Sequence, residues 1–198
     1  MENDEFKTIT TQIGEGYYTE KRSKFLAFAH HVESIDDVKD IVASYKKKYF
    51  DARHVCFAYM LGADRKEFRV NDDGEPSSTA GKPILGQINS HELTNILIVV
   101  VRYYGGVNLG TGGLIVAYRE ASADALAHSV IETRKIEDII YISFAYPSMN
   151  AVMKVVKDMS PRIISQKFDN TCEMTLAIRK SESDLLRNRL NSAGISLI

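Results

Sequence analysis

The chain has 198 residues, 44% of them apolar and 26% charged, and a net charge of −1, which is enough for one large domain or two small ones with real cores. That balance excludes a protein that coats itself in nucleic acid by bulk attraction. No stretch approaches the roughly eighteen apolar residues of a membrane helix, and the start "MENDEFKTIT" is acidic and polar rather than signal-like, so the expectation is a soluble cytoplasmic protein with no membrane partner.

Residues 17–20 and 25–32 read as the two strands of a hairpin joined by the basic turn "KRSK". Ser34 stands at an N-cap position with Asp37 three residues on, and Ile35, Val38, Ile41, Val42, Tyr45 and Tyr49 recur at helical spacing, so a helix over 35–49 follows. Its tail "YKKKY" places cations where the helix dipole favours them. "RHVCFAYML" and "KEFRV" are strand-like, "NDDGEP" is a turn cluster, and a helix begins in or after "SSTAGKPILGQINSHEL". "NILIVVVRYY" reads as a strand buried on both faces. After a cluster holding five of the chain's twelve glycines, Leu114, Tyr118, Ala121 and Ala125 fall on one helical face.

The charged stretch "ETRKIED", 132–138, reads as a hinge between domains at 1–135 and 136–198. Residues 138–198 carry +2 and residues 1–137 −3, so any RNA or ribosome contact needs a local patch and is salt-sensitive. "IIYISFAY" is a strand, Pro147 opens a helix lined by Met149, Val152, Met153 and Val156, and "RIISQKFDNTCEMTLAIR" is a hairpin turning at Asp169–Asn170. Ser181 caps a last helix carrying Leu185, Leu186 and Leu190, and Gly194 ends it before "ISLI". The order β-α-β-β-α-β is the ferredoxin-like arrangement, so the whole chain is expected to be α+β.

The glycine cluster "RYYGGVNLGTGG" invites a nucleotide-binding reading, but both named fingerprints fail. The dinucleotide motif lacks its third glycine, where Ile115 stands, and the triphosphate loop has Thr111 in place of lysine. Two alternatives remain open: an anion site built from helix-start amides with Arg102 beside them, or a tight crossover that needs glycine only for its backbone. Of Tyr103 and Tyr104, at most one shares the face used. Asp72, Asp73 and Glu75 offer oxygen ligands or a base, and equally a turn. Cys56 and Cys172 read as small buried hydrophobes, without metal or disulfide spacing. No nucleophile arrangement is recognisable, so no catalytic residue, metal or cofactor is expected.

Taken together, "DARHVCFAYMLG", "NDDGEPSSTAGKPIL", "NILIVVVRYYGGVNLGTGGL" and "AYREAS" resemble the IMPACT family, from about residue 17 to 129, and the two-part length resembles its bacterial YigZ-like branch. The family's motif positions fall on Arg53, His54, Asp72, Asp73, Gly74, Glu75, Pro76, Gly81, Lys82, Pro83, Arg102, Tyr104, Gly105, Gly106, Leu109, Gly110, Gly112, Gly113, Ala117 and Tyr118. Relatives commonly carry basic residues where this chain has Asn108 and Val116, which weakens a phosphate grip. The resemblance implies a split β-α-β first domain like the second domain of a ribosomal small-subunit protein, a fold class shared with translocation factors and small-molecule kinases. For the last third it implies a domain similar to a ribosome-contacting domain of elongation factor G. Eukaryotic relatives act in translational control by interfering with activation of an initiation-factor kinase, through an extra N-terminal domain that this chain is expected to lack.

The expectation is a non-catalytic, translation-linked protein that binds RNA, the ribosome or a translation-associated partner. Its contact surface is expected at Arg102, Tyr104 and the loop through Gly105, Gly106, Asn108, Gly110, Gly112 and Gly113, supported by Arg53, His54, Asp72, Asp73 and Glu75. The competing expectation is an enzyme that binds a small phosphorylated ligand at the same loop.

Overall fold

The computed structural model describes residues 4–169 and 171–198. The fold is mixed α+β in two compact units: Phe6–Arg134, and Lys135–Ile198 together with the N-terminal residues up to Glu5.

The larger unit is built on a five-stranded sheet. Strands β2 (Gly14–Glu20), β3 (Ser23–His31), β4 (His54–Leu61), β5 (Glu67–Asn71) and β6 (Ile96–Tyr103) lie in the order β2-β3-β6-β4-β5. All four pairings are antiparallel. Central β6 is buried along all but its last residue because both faces of the sheet are covered. Helix α1 (Ile35–Lys48) packs Val38 and Tyr45 onto Phe28, Phe57, Leu97, Val99 and Val101. Helices α2 (Gly81–Ser90) and α3 (Gly110–Ala127) pack onto Phe25, Ala27, Cys56, Ala58, Ile96, Ile98 and Val100. The Ser34–Asp37 capping box closes the start of α1 as its sequence requires, while Ile35 stays 40% exposed. Helix α3 lies so close to β2 that a Cβ on Gly16 would sit 2.2 Å from the amide nitrogen of Ala125.

The β2–β3 hairpin pairs Glu20 with Ser23, leaving a two-residue turn, Lys21–Arg22, whose φ angles of 46° and 68° are both left-handed. Glycine or asparagine ordinarily fills such a turn. Two cations there carry backbone strain that the paired strands hold in place.

The charged segment expected to be a hinge is instead strand on both sides of Ile136: β7 (Ile131–Lys135) and β8 (Glu137–Phe144). Its backbone is satisfied by pairing β7 with β1 (Glu5–Ile9), a strand that sequence reading did not anticipate. Charges suit this ribbon, since Arg134 pairs with Glu132 and Glu33.

The smaller unit has the order β8, α4 (Met149–Met159), β9 (Arg162–Phe168), β10 (Cys172–Arg179), α5 (Lys180–Ser192) and β11 (Ser196–Leu197), in a sheet ordered β11-β8-β10-β9. This is the ferredoxin-like arrangement its patterning implies. Cys172, Met174, Leu176 and Ile178 alternate into the core, with Leu186 and Leu190 of α5. Asn170 of the expected turn lies outside the described residues. Three details differ from expectation. Pro147 opens a short 3-10 turn, Tyr146–Ser148, rather than α4 itself. Met153 and Leu185 are 40% and 51% exposed, off the faces that Val152, Val156, Leu186 and Leu190 bury. Ser181 is the second residue of α5, and the cap is the Asp4 carboxylate, which accepts the Ser181 amide at 3.0 Å.

Candidate functional site

Along β6, Ile96, Ile98 and Val100 point into the core beneath α2 and α3. Arg102 continues the same alternation, so a guanidinium follows three aliphatic side chains into the interior and is only 5% exposed. Its strand neighbours are Phe25 on β3 and His54 on β4. A charge so placed requires a partner. Glu75, with a side chain 3% exposed, provides it: Arg102 Nη1 donates to Glu75 Oε1 at 2.6 Å. The same oxygen accepts the Tyr118 hydroxyl at 2.7 Å, and that hydroxyl in turn accepts the Cys56 thiol at 3.3 Å. The guanidinium also lies 5.5 Å from the Phe25 ring centre and 5.7 Å from that of Tyr104.

His54 flanks this pair with Nε2 3.7 Å from Glu75 Oε2. Its Nδ1 is 2.8 Å from the Asp73 carbonyl, which only accepts, so Nδ1 carries a proton. Burial pushes the Tyr118 hydroxyl far up, helped by Cys56 and Glu75, and burial likewise pushes the Cys56 thiol up. Cys56 is therefore a core residue and not a nucleophile, as its setting in the sequence implies.

Asp72 and Asp73 of the acidic turn position this network without lining the cleft. Asp72 accepts the amides of Ser78, Ala80 and Gly81 at 2.9, 3.1 and 2.8 Å, closing the approach to α2. Burial works against its charge, yet the amides of Gly81, Ser78 and Ala80 and the nearby Lys82 hold its carboxyl below the ordinary range. Asp73 accepts the Val55 amide and pairs with Lys46, both at 2.7 Å. These carboxylates fold the turn and aim Glu75 inward. The expected ligand role of Asp72 and Asp73 gives way to this, because their oxygens already hold backbone amides and a lysine.

The glycines divide by what surrounds them. A Cβ on Gly105 would lie 2.2 Å from the Arg22 carbonyl carbon, and the Gly105 amide donates to Ser23 Oγ at 3.1 Å, so this residue docks the loop on the hairpin turn. Gly106 and Gly110 have φ of 84° and 71°, and Gly113 packs near Leu109. Gly112 has neither reason, since a Cβ there meets nothing within 4 Å. It lies in the first turn of α3, whose N-cap position, Leu109, gives no side-chain cap and whose first turn holds no acidic residue. First-turn amides have no acceptor inside a helix, and they carry about half a positive charge.

These elements enclose a cleft of about 640 Å³ that brings together Arg53, His54, Glu75, Arg102, Tyr104, Asn108 and Gly110. Gly112 and Gly113 instead line a neighbouring hollow of about 210 Å³ with Lys21 and Val116. Tyr104 is 49% exposed at the lip and its hydroxyl donates to Asn108 Oδ1 at 3.2 Å. Tyr103 turns the other way, to Asp51 at 2.9 Å, so one tyrosine serves this face. Among the described residues the Arg102 side chain hydrogen-bonds through Nη1 to Glu75, and its buried Nε has no partner. Sequence reading missed the inward hydroxyl of Tyr118, whose signal is a tyrosine in an otherwise apolar helical stripe, and the placement of Thr111 on the cleft wall.

The model of the Impact N-terminal domain matches residues 21–126, which hold every residue of this cleft. The chain belongs to the IMPACT family. An IMPACT family member of Haemophilus influenzae is 33% identical over 172 residues, 86% of this chain and 84% of that one. The IMPACT family member YigZ of Escherichia coli is 45% identical over 100 residues, half of this chain and 49% of its own. A crystal structure described as a hypothetical protein superposes over 99% of this chain and 97% of its own, with a TM-score of 0.75 and 26% identity. Asn108 lines the cleft and Val116 lines the other hollow.

Glu75→Ala is expected to destabilise the protein by about 3–5 kcal/mol in urea unfolding, because it strands Arg102. The Glu75→Ala/Arg102→Ala pair should cost clearly less than the two single changes added together. Asp72→Asn should cost about 1.5–3 kcal/mol at neutral pH. The Asp72 carboxyl is depressed in the folded state, so its contribution is full above its ordinary value of 3.8 and fades as pH falls through the lower folded value. The gap between Asp72→Asn and the parent, followed by unfolding in a pH series, should therefore narrow only below about pH 3.8.

Proposed function

We propose that this protein is a translation-linked binding protein that grips RNA by phosphate at the Arg102 cleft, without catalysing a reaction. The observation that carries this reading is Arg102 itself. It is a buried guanidinium with unused donors, set beside the uncapped start of α3, and exposed Arg53 stands on the same cleft. Helix-start amides and arginine forks both suit phosphate.

The link to translation rests on the family. Its eukaryotic relatives act in translational control, the larger unit is read as resembling the second domain of a ribosomal small-subunit protein, and the smaller unit as resembling a ribosome-contacting domain of elongation factor G. Their specific regulatory partner is not carried over. A cytoplasmic location follows from this role.

One observation favours a second reading, an enzyme for a small phosphorylated ligand. Arg102 and Glu75 are recessed, and the cleft falls within the roughly 300–1,000 Å³ typical of small-molecule sites.

Ribosome co-sedimentation and RNA binding across a salt series test the first reading. Binding should weaken steeply with salt, and Arg53→Ala should lower the slope of log K against log salt by about 0.7 if it neutralises one phosphate. No binding at low salt removes the proposal. For the second reading, a nucleotide at one hundred times its Kd should stabilise the protein by about 2.7 kcal/mol in a thermal-shift screen. Silence across phosphometabolites removes that one.

A further inference from the structure

The cleft also indicates which kind of phosphate it takes. We infer that it is a receptor for a phosphomonoester on a nucleoside, the phosphorylated end of an RNA strand or a nucleotide, rather than for the diester links within a strand. This rests on reading the cleft as a phosphate site and narrows it.

The inference starts from depth and donor number. Arg102 is 5% exposed, its Nε is fully buried without a partner, and Leu114 beside it is 5% exposed. A phosphate within a strand has chain leaving from two of its oxygens, so it presents two free oxygens and is best met on an open groove. A terminal phosphate has chain on one oxygen only and can enter a recess with three oxygens leading.

The available donors match the second case. Arg102, whose Nε is unpartnered, Arg53 and the first-turn residues Gly110 and Thr111 line the same space, and between them they carry guanidinium, amide and hydroxyl donors. A monoester brings three free oxygens to that set and a diester two, so the monoester meets more of these donors.

Charge points the same way. Arg102 and Arg53 against Glu75 leave one net positive charge on the cleft, to which the helix start adds about half. A monoester near pH 7 carries roughly −1.5 to −2, and a diester one negative charge. The more highly charged group gains more from a desolvated cation.

The nucleoside part is assigned to Tyr104. Its ring is 49% exposed at the lip, close to the Arg102 guanidinium and held by its hydroxyl bond to Asn108. A base stacks on such a ring without regard to sequence. Asn108, which is uncharged, adds no attraction for a following diester beside this ring.

The test compares RNA oligonucleotides of one sequence with a terminal phosphate at either end or with hydroxyls at both, alongside a nucleoside monophosphate, its nucleoside and inorganic phosphate. Binding to the full chain is read by fluorescence anisotropy and competition. At least one end-phosphorylated strand should bind about tenfold or more tighter than the hydroxyl-ended strand, and the monophosphate, but not the nucleoside, should compete. Thr111→Glu should erase that preference while the protein stays folded, because an acid in the first turn stabilises a helix. Equal binding of all three strands overturns the inference and leaves RNA binding standing. Binding of the monophosphate but of no strand supports the phosphomonoester site and overturns RNA as its source. Preference for phosphorylated ends that survives Thr111→Glu, or no binding by any ligand, overturns the inference.

Discussion

The geometry of the larger unit depends on the burial of one guanidinium. Arg102 occupies a position that the alternation of β6 reserves for core side chains, and it is kept there by Glu75. Glu75 in turn reaches that depth because Asp72 and Asp73 fold the preceding turn onto α2 and β4. The pair thus joins a strand, a turn and, through the Tyr118 hydroxyl, helix α3. Such a pair adds little net stability over a well-packed apolar substitute, since removing both charges from water costs several kcal/mol each. Its persistence in the core is better understood as a means of holding a charge at a chosen depth.

Much of this fold was legible because the deciding interactions are local. Ser34 and Asp37 lie three residues apart, β10 alternates apart from the buried Ala177, and the apolar run of β6 is long enough to require cover on both faces. The β1–β7 ribbon was not legible. Its partners lie at opposite ends of the larger unit, and its charges give no apolar rhythm.

The candidate site was legible as residue types and not as roles. Arg53, His54, Glu75, Arg102, Tyr104 and Asn108 converge, although they come from separate segments. Asp72 and Asp73 look identical to Glu75 in a turn-rich string, and only the amides that meet their oxygens separate them. The glycines posed the same difficulty. Gly105 and Gly112 differ by whether another part of the chain lies against them, and spacing carries no trace of that. The crossover reading is met at Gly105, which docks on the hairpin turn, while no neighbouring segment requires glycine at Gly112.

The hairpin turn at Lys21–Arg22 carries one more consequence. Surface turns ordinarily accept added or lost residues with little effect. This one has Gly105 wedged against its backbone, and its two residues already adopt unfavourable left-handed angles to close the strands. Lengthening it by even one residue would relax the turn and, in doing so, unseat the loop that leads to α3. The spacing of that hairpin is thus a ruler for the cleft, and a change in chain length there is transmitted to residues more than eighty positions away in sequence.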